Sequence, residues 1–287
     1  MSSADIDAIG CDLRSKLNQV WLEVENWANA NKMPLNESKT KSLLVTGKRL
    51  PGKIDLQDKQ LALVTSNGCM LEEVETVKLL GLEHDSEMTF TCHVDKLCKK
   101  LSQRIGVLNR IKCCLPFKQI ILYYNSLLKP VMNYVNVVWH TCSKEILLKV
   151  LRWQKRAARV IMDAKPRTSS VLLFNKLQWI PFYEEAKVAK CSVVYKRIQN
   201  SVPTYLMNSL KRNCETHDRN TRYSNYNFIC PRYKRLNEGG RTFNVTAVQL
   251  CNSLSLHLKK KPSFKAFKWS YRKQIFDDQL SLYRFNP

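Results

Sequence analysis

Acidic residues are scarce in this chain, and the scarcity is local. The 287 residues carry 24 Asp and Glu against 47 Lys and Arg, a formal net charge of +23. Residues 1–80 are balanced, with 10 basic and 11 acidic side chains, whereas residues 96–276 hold 36 basic and 7 acidic ones. A block of one sign concentrates polyanions around itself and gains free energy when their counterions are released, so nucleic acid is the leading partner. An anionic membrane surface is the rival. Against it, the cations are interleaved with core-type aliphatics over several segments and are not gathered on one long amphipathic helix.

Other absences narrow the class further. No apolar run is clean enough to span a bilayer: the richest, Ile120 to Trp139, contains Asn125, Lys129, Pro130, Asn133 and Asn136. It reads as a buried helix kinked or broken before Pro130. The eleven cysteines include no Cys-x-x-Cys pair, and nothing at the N-terminus reads as a secretory signal, which points to a reducing, intracellular compartment. Cys214, His217 and Cys230 leave a zinc knuckle one ligand short, so no metal site is expected in this chain. There is no internal repeat. A hydrophobic content of 44% argues against global disorder, and the length suits one or two domains.

Along the chain the hydrophobic period changes once. Ile9, Leu13, Leu17, Val20, Val24 and Trp27 recur at helical spacing and predict an amphipathic helix of about five turns, ending between Asn29 and Pro34. Asp5 and Asp7 open it, where carboxylates favour the positive end of the helix dipole. Three β-rich runs follow, Ser42–Thr46, Leu61–Thr65 and Val77–Leu82, separated by Pro51-Gly52 and Asn67-Gly68; together they predict a small antiparallel sheet. From about Thr89 the period is helical. Val94, Leu97, Leu101, Ile105, Leu108 and Ile111 form one face, with Lys96, Lys99, Lys100 and Arg104 toward the other. Further helices are expected over 117–128, 131–140, 144–163, 168–177, 182–200 and 241–257, broken at Pro116, Pro130, Pro166, Pro181 and Pro203. Residues 211–240 read as a basic loop. The fold class is therefore α+β, mostly α.

Three basic clusters are candidates for function. Arg152, Lys155, Arg156 and Arg159 fall at separations of three and four, so on a helix they crowd one side within reach of successive phosphates; a solvated cationic face over a core of Leu151, Ala158 and Ile161 is the alternative. Arg222, Tyr223, Arg232, Lys234 and Arg235 mix aromatic and guanidinium groups in a loop, an arrangement suited to stacking on unpaired bases while holding phosphates. Tyr223, Tyr226, Phe228 and Tyr233 serve equally as packing under that loop. The third cluster, Lys259-Lys260-Lys261 with Lys265, Lys268, Arg272 and Lys273 among Phe264, Phe267 and Trp269, has the composition of a basic amphipathic helix. Nucleic acid, an acidic partner and an import receptor all suit it. Trp27, Trp139, Trp153 and Trp179 lie at apolar helical positions and read as core anchors.

The order of several of these blocks resembles a known family. Trp27, Asn31, Met33, Asn36, Lys39 and Thr40, then Lys78-Leu79-Leu80-Gly81-Leu82, then Trp153 to Ile161 and Leu177-Gln178-Trp179-Ile180-Pro181-Phe182 resemble the C-terminal portion of the reverse transcriptase of non-LTR (LINE, jockey-like) retrotransposons. The resemblance spans nearly the whole chain. It implies a palm remnant over 1–88, a helical thumb-like region over 89–210 and a basic C-terminal segment over 211–287. It places Leu80, Gly81 and Leu82 at the primer grip, and Asn36 and Lys39 near template, primer or incoming nucleotide.

The family's Tyr/Phe-Ala-Asp-Asp metal turn is not in this sequence, and the resemblance places it upstream of Met1. Polymerase chemistry needs divalent metals held by carboxylates, so Mg2+ is expected only in an intact parent enzyme and this chain is expected to be inactive alone. The expected partners are RNA or DNA and the upstream palm, with no membrane, and for the intact element access to genomic DNA implies the nucleus. A co-opted nucleic-acid-binding module and a non-functional product of a decayed copy stand as alternatives. Near the end, Phe243, Ala247 and Cys251-Asn252-Ser253-Leu254-Ser255 depart from the family's Phe, Ala and Trp-Asn-x-Leu-Pro pattern.

Overall fold

The computed structural model describes residues 3–45, 63–65, 68–216, 225–234 and 239–284, with the backbone alone at 3–11, 13 and 280–284. The protein is mostly helical, and its short strands all precede residue 90. It divides into two compact units, Met1–His93 and Val94–Pro287. The second unit keeps residues 211–287 with the helices that precede them.

In the first unit, helix α1 spans Ser3–Ala30, ending where expected but longer, at 28 residues, than the roughly five turns its periodicity predicts. Its packed side is not the predicted one. Val20, Val24 and Trp27 are exposed at 53%, 41% and 60%, whereas Glu25 and Ala28 are buried. The Asn18 side chain accepts the backbone N–H of Val64 at 3.1 Å, a contact on the same side of the helix as Glu25 and Ala28. Trp27 is thus no core anchor. Ile9 and Leu13 lie outside the described side chains, as do Asp5 and Asp7.

Of the three β-rich runs, Ser42 forms strand β1 with Lys41 (Lys41–Ser42), which pairs in parallel with β2 (Glu72–Glu73). Val64 bridges Met70, and Gly68 takes a φ of +79°. The run Val77–Leu82 is not one strand. It divides into β3 (Thr76–Leu79) and β4 (Leu82–Asp85), an antiparallel hairpin in register Thr76 to Asp85 and Leu79 to Leu82. Leu80 (φ +48°) and Gly81 (φ +84°) make the two-residue turn, and positive φ at both positions is the pattern of a type I′ hairpin. Thr46, Pro51-Gly52, Leu61-Ala62 and Asn67 lie outside the described residues.

Helix α2 (Thr91–Ile111) buries Val94, Leu97, Leu101, Ile105 and Leu108, the stripe its spacing predicts, with Ile111 half-buried. Helix α3 (Phe117–Tyr123) then runs into a π-helical segment at Tyr124–Leu128 and on into α4 (Lys129–Asn133). The break expected before Pro130 takes this wide-turn form because proline has no N–H to donate and its ring crowds the preceding turn. The Arg104 guanidinium donates to the Leu127 carbonyl there. Val135, at a φ of +47°, separates α4 from α5 (Asn136–Trp139), so the helix expected over 131–140 is two short ones.

Helix α6 (Lys144–Ile161) is capped by the Ser143 hydroxyl, and α7 covers Ser170–Leu177. Helix α8 (Phe182–Ile198) sits at the centre of the unit, with Ala186, Val188, Cys191 and Val194 fully buried. Its buried residues lie around much of its circumference, the polar Lys190, Ser192 and Arg197 among them, so it is covered on several sides. Helices α9 (Thr204–Ser209), α10 (Phe243–Ser253), α11 (Leu256–Lys259) and α12 (Phe264–Arg284) complete the unit. The helix expected over 241–257 therefore stops at Ser253 and resumes at Leu256. Pro116, Pro181 and Pro203 each occupy the position just before a helix, where a fixed φ and a missing N–H cost nothing.

Two core groups surround α8. Val188, Cys191 and Tyr195 pack with Leu254, Leu258, Phe267 and Tyr271, and the Tyr195 and Phe267 rings stack at 4.4 Å. Val194 packs with Leu210, Phe228, Ala247, Val248 and Cys251. Trp139 is fully buried and stacks on Phe182 at 5.9 Å, as an anchor should. Trp153 and Trp179 are half-buried, the latter stacked on Tyr124 at 3.7 Å.

Candidate nucleic-acid interface

Helix α6 carries the most compact cationic surface. Val150, Leu151, Gln154, Ala157, Ala158 and Ile161 are buried on one side. Arg152, Lys155, Arg156 and Arg159 fall on the other, Arg152 and Arg156 exposed and Lys155 and Arg159 half-buried. The Arg156 guanidinium lies 5.2 Å from the Trp153 ring centroid, which steadies it while leaving its outer edge free to donate. Arg159 reaches the Thr168 carbonyl at 3.4 Å, and its Nε is buried without a hydrogen-bond partner among the described residues. The nearby Lys149 is neutralised by Asp95 at 2.9 Å, but none of the four pairs with a carboxylate among the described residues.

Gln154, on the buried side of the same helix, fixes its orientation. Its amide donates to the Ile180 carbonyl at 3.1 Å and the Tyr124 hydroxyl at 3.3 Å, and its oxygen accepts the Phe182 N–H at 2.8 Å. One side chain thus satisfies the backbone entering α8 and locks α6 against it.

The second cluster is only partly described. Arg232 and Lys234 are exposed, Tyr233 is 42% exposed, and Arg222, Tyr223 and Arg235 lie outside the described residues. Phe228 is a packing residue: it is buried, and Asn252 holds both its N–H, at 3.0 Å, and its carbonyl, at 2.8 Å. Gly239 abuts Tyr233 so closely that a Cβ would fall 2.7 Å from the tyrosine Cβ, which excludes any side chain there. Part of what reads as a linker is therefore built onto α10.

In the third cluster Lys259 is no surface cation. It is 1% exposed and donates to Asn227 Oδ1 at 2.7 Å and to the Asn252 carbonyl at 3.1 Å, and burial lowers its pKa. On α12, Lys265, Lys268 and Lys273 are exposed, while Arg272 binds the Glu185 carboxylate.

In the first unit, Asn36 caps the 3-10 turn Glu37–Lys39, accepting the Lys39 N–H at 3.2 Å and the Ser38 hydroxyl at 2.7 Å. The Lys39 side chain is exposed. Leu80 and Gly81 form the hairpin tip, with Leu80 83% exposed, and Leu82 is buried at 3%.

Sequence reasoning missed two buried cations and a histidine. Lys190 is 1% exposed with the Thr246 hydroxyl at 3.1 Å, and burial pulls its pKa down to about 8. His140 has a buried Nε2 without a hydrogen-bond partner among the described residues; burial, then Lys190 and Lys187, lower its pKa to about 4. Arg197, 4% exposed, forms a two-pronged ion pair with Glu215 at 2.7 and 2.9 Å. Burial acts to raise the Glu215 pKa, but hydrogen bonds from Arg212 and Arg197 outweigh it and bring it to about 2. Lys190 and Thr246 are 56 residues apart and Arg197 and Glu215 are 18 apart, so no local spacing announces these two pairs.

The described cysteines are all free thiols, and among the described residues no cluster of His, Cys, Asp and Glu could hold a metal ion. His217 of the zinc-knuckle spacing lies outside them. No described helix is long and apolar enough to cross a membrane. Comparison with protein-family models, curated proteins and solved structures finds no match to this chain.

Proposed function

We propose that this chain binds the sugar-phosphate backbone of RNA or DNA, as the C-terminal, thumb-like portion of a non-LTR retrotransposon reverse transcriptase whose metal-binding palm lies upstream. The supporting observation is the outer face of α6: Arg152, Lys155, Arg156 and Arg159 stand together without carboxylate partners among the described residues, on a helix whose inner face is locked by Gln154. Rigid presentation at successive turns suits contact with successive phosphates, which positions a strand without reading its sequence. The +23 net charge supplies the long-range attraction. Mg2+ and catalysis belong, on this reading, to the upstream palm.

The test is fluorescence anisotropy of a labelled RNA–DNA duplex with the full chain across about 50 to 200 mM salt. Affinity should fall steeply, and the variant with Arg152, Lys155, Arg156 and Arg159 all changed to Gln should have a log–log salt slope shallower by up to about four, since each phosphate contact contributes close to one. Salt-insensitive binding, or a slope unchanged in the variant, would refute the assignment. Primer extension with Mg2+ separates this reading from the alternative of a polymerase complete in itself: templated synthesis by the chain alone would remove the palm from the argument.

A further inference from the structure

A cleft of about 450 Å³ opens beside α12, lined among others by Trp179, Trp269, Lys129, Glu185, Arg272 and Lys273. Its volume lies in the range of sites that take one small ligand. One wall is the indole of Trp179, fixed by its stack on Tyr124. Another is Trp269, 65% exposed, with the Lys273 ammonium 5.3 Å from its ring centroid. Its ring is thus open to solvent where it lines the cleft and can be reached by a planar ligand.

The charges are arranged asymmetrically. Glu185 is shared by Lys129, at 3.2 Å, and Arg272, whose Nε donates at 3.0 Å, so one carboxylate faces two cations. Lys273 adds a third, and Asp277 is the second carboxylate of the lining. The balance favours an anion, and the pre-formed ion pairs hold the cations in place before any ligand arrives.

Building on the backbone-binding reading, we propose that this cleft holds one unstacked nucleotide, its base against Trp269 and its phosphate near Lys273 and Lys129. Indole faces accept any base, so the site tolerates sequence while demanding an unpaired residue. Both a strand end and a free mononucleotide present this chemistry.

The experiment compares three probes on the full chain: a blunt RNA–DNA duplex, the same duplex with a two-nucleotide single-stranded overhang, and AMP. The overhang should bind roughly tenfold more tightly than the blunt duplex, the scale of one base–aromatic stack. Trp269→Ala should abolish that gain and leave blunt-duplex binding unchanged, while Trp269→Phe should keep most of it. Because Trp269 is exposed, its removal leaves the core intact, which far-UV circular dichroism checks. Binding of AMP that is lost in Trp269→Ala, with no gain from the overhang, would support the cleft with a free nucleotide as its occupant. Equal affinity for blunt and overhanging duplexes without AMP binding would overturn the cleft and spare the backbone reading, and failure to bind any probe would overturn both.

Discussion

Replacing Gln154 by Leu tests whether the orientation of α6, and with it the cationic face, depends on one buried amide. The substitution keeps the side chain close in volume and removes three hydrogen bonds, to Tyr124, Ile180 and Phe182. The Phe182 N–H and the Ile180 carbonyl are then stranded in a site where Gln154 is 3% exposed and Phe182 and Ile180 are buried. Each orphaned backbone group costs roughly 1–3 kcal/mol. Burying leucine in place of an amide returns about 1–2 kcal/mol. The net loss should centre on about 2–3 kcal/mol, for a unit of this size a fall in Tm of very roughly 5–10 °C. Urea unfolding followed by far-UV circular dichroism gives the number, and a double-mutant cycle with Tyr124→Phe isolates the weakest of the three bonds. A Gln154→Leu variant within about 0.5 kcal/mol of the parent would refute the reasoning, because that is the scatter of substitutions at indifferent positions.

Lys190→Met should stabilise the protein at neutral pH, since it removes an ammonium whose one described partner is the Thr246 hydroxyl. With its pKa lowered from 10.5 to about 8, the folded state sheds this proton before the unfolded state does, so stability attributable to Lys190 rises between pH 8 and 10.5; the methionine variant should lose that rise in urea titrations, and an unchanged pH slope would count against it. His140 works in the acid range. Its pKa, lowered to about 4, makes the unfolded state take up the proton first as pH falls below 6.5, so stability falls between 6.5 and 4, and His140→Gln should flatten that limb, an unaltered limb refuting the assignment. Leu80→Asn places the favoured Asn-Gly pair at a turn whose first residue sits at φ +48°, and should slow hydrogen exchange across Thr76–Asp85 by the equivalent of about 1 kcal/mol; faster exchange would show that the leucine side chain contributes more than its backbone costs.

The resemblance-derived positions and the structure meet unevenly. Asn36 and Lys39 stand on a tight turn that Asn36 itself caps. The Leu80-Gly81 pair reads as the middle of a strand only while β-propensity is counted; the glycine was the sign of a turn, and the two positive φ values account for the hairpin.

Sequence alone determined the local periods: the buried stripe of α2, the division of α6 into an apolar and a cationic side, the prolines that precede α3, α8 and α9, and the segregation of charge into residues 96–276. These depend on neighbours three or four positions away, and such neighbours are written in order along the chain. Tertiary structure decided which lysines are surface. Lys259 and Lys190 look like any other cation in the sequence, but each is buried against a residue from a distant segment, Asn227 and Thr246 respectively. It also decided that α1 packs through Asn18, Glu25 and Ala28 and not through Val20, Val24 and Trp27, with Asn18 receiving the Val64 amide on that side. A helix's period says which residues share a side; only the polar and apolar groups brought to it by the rest of the chain say which side is covered.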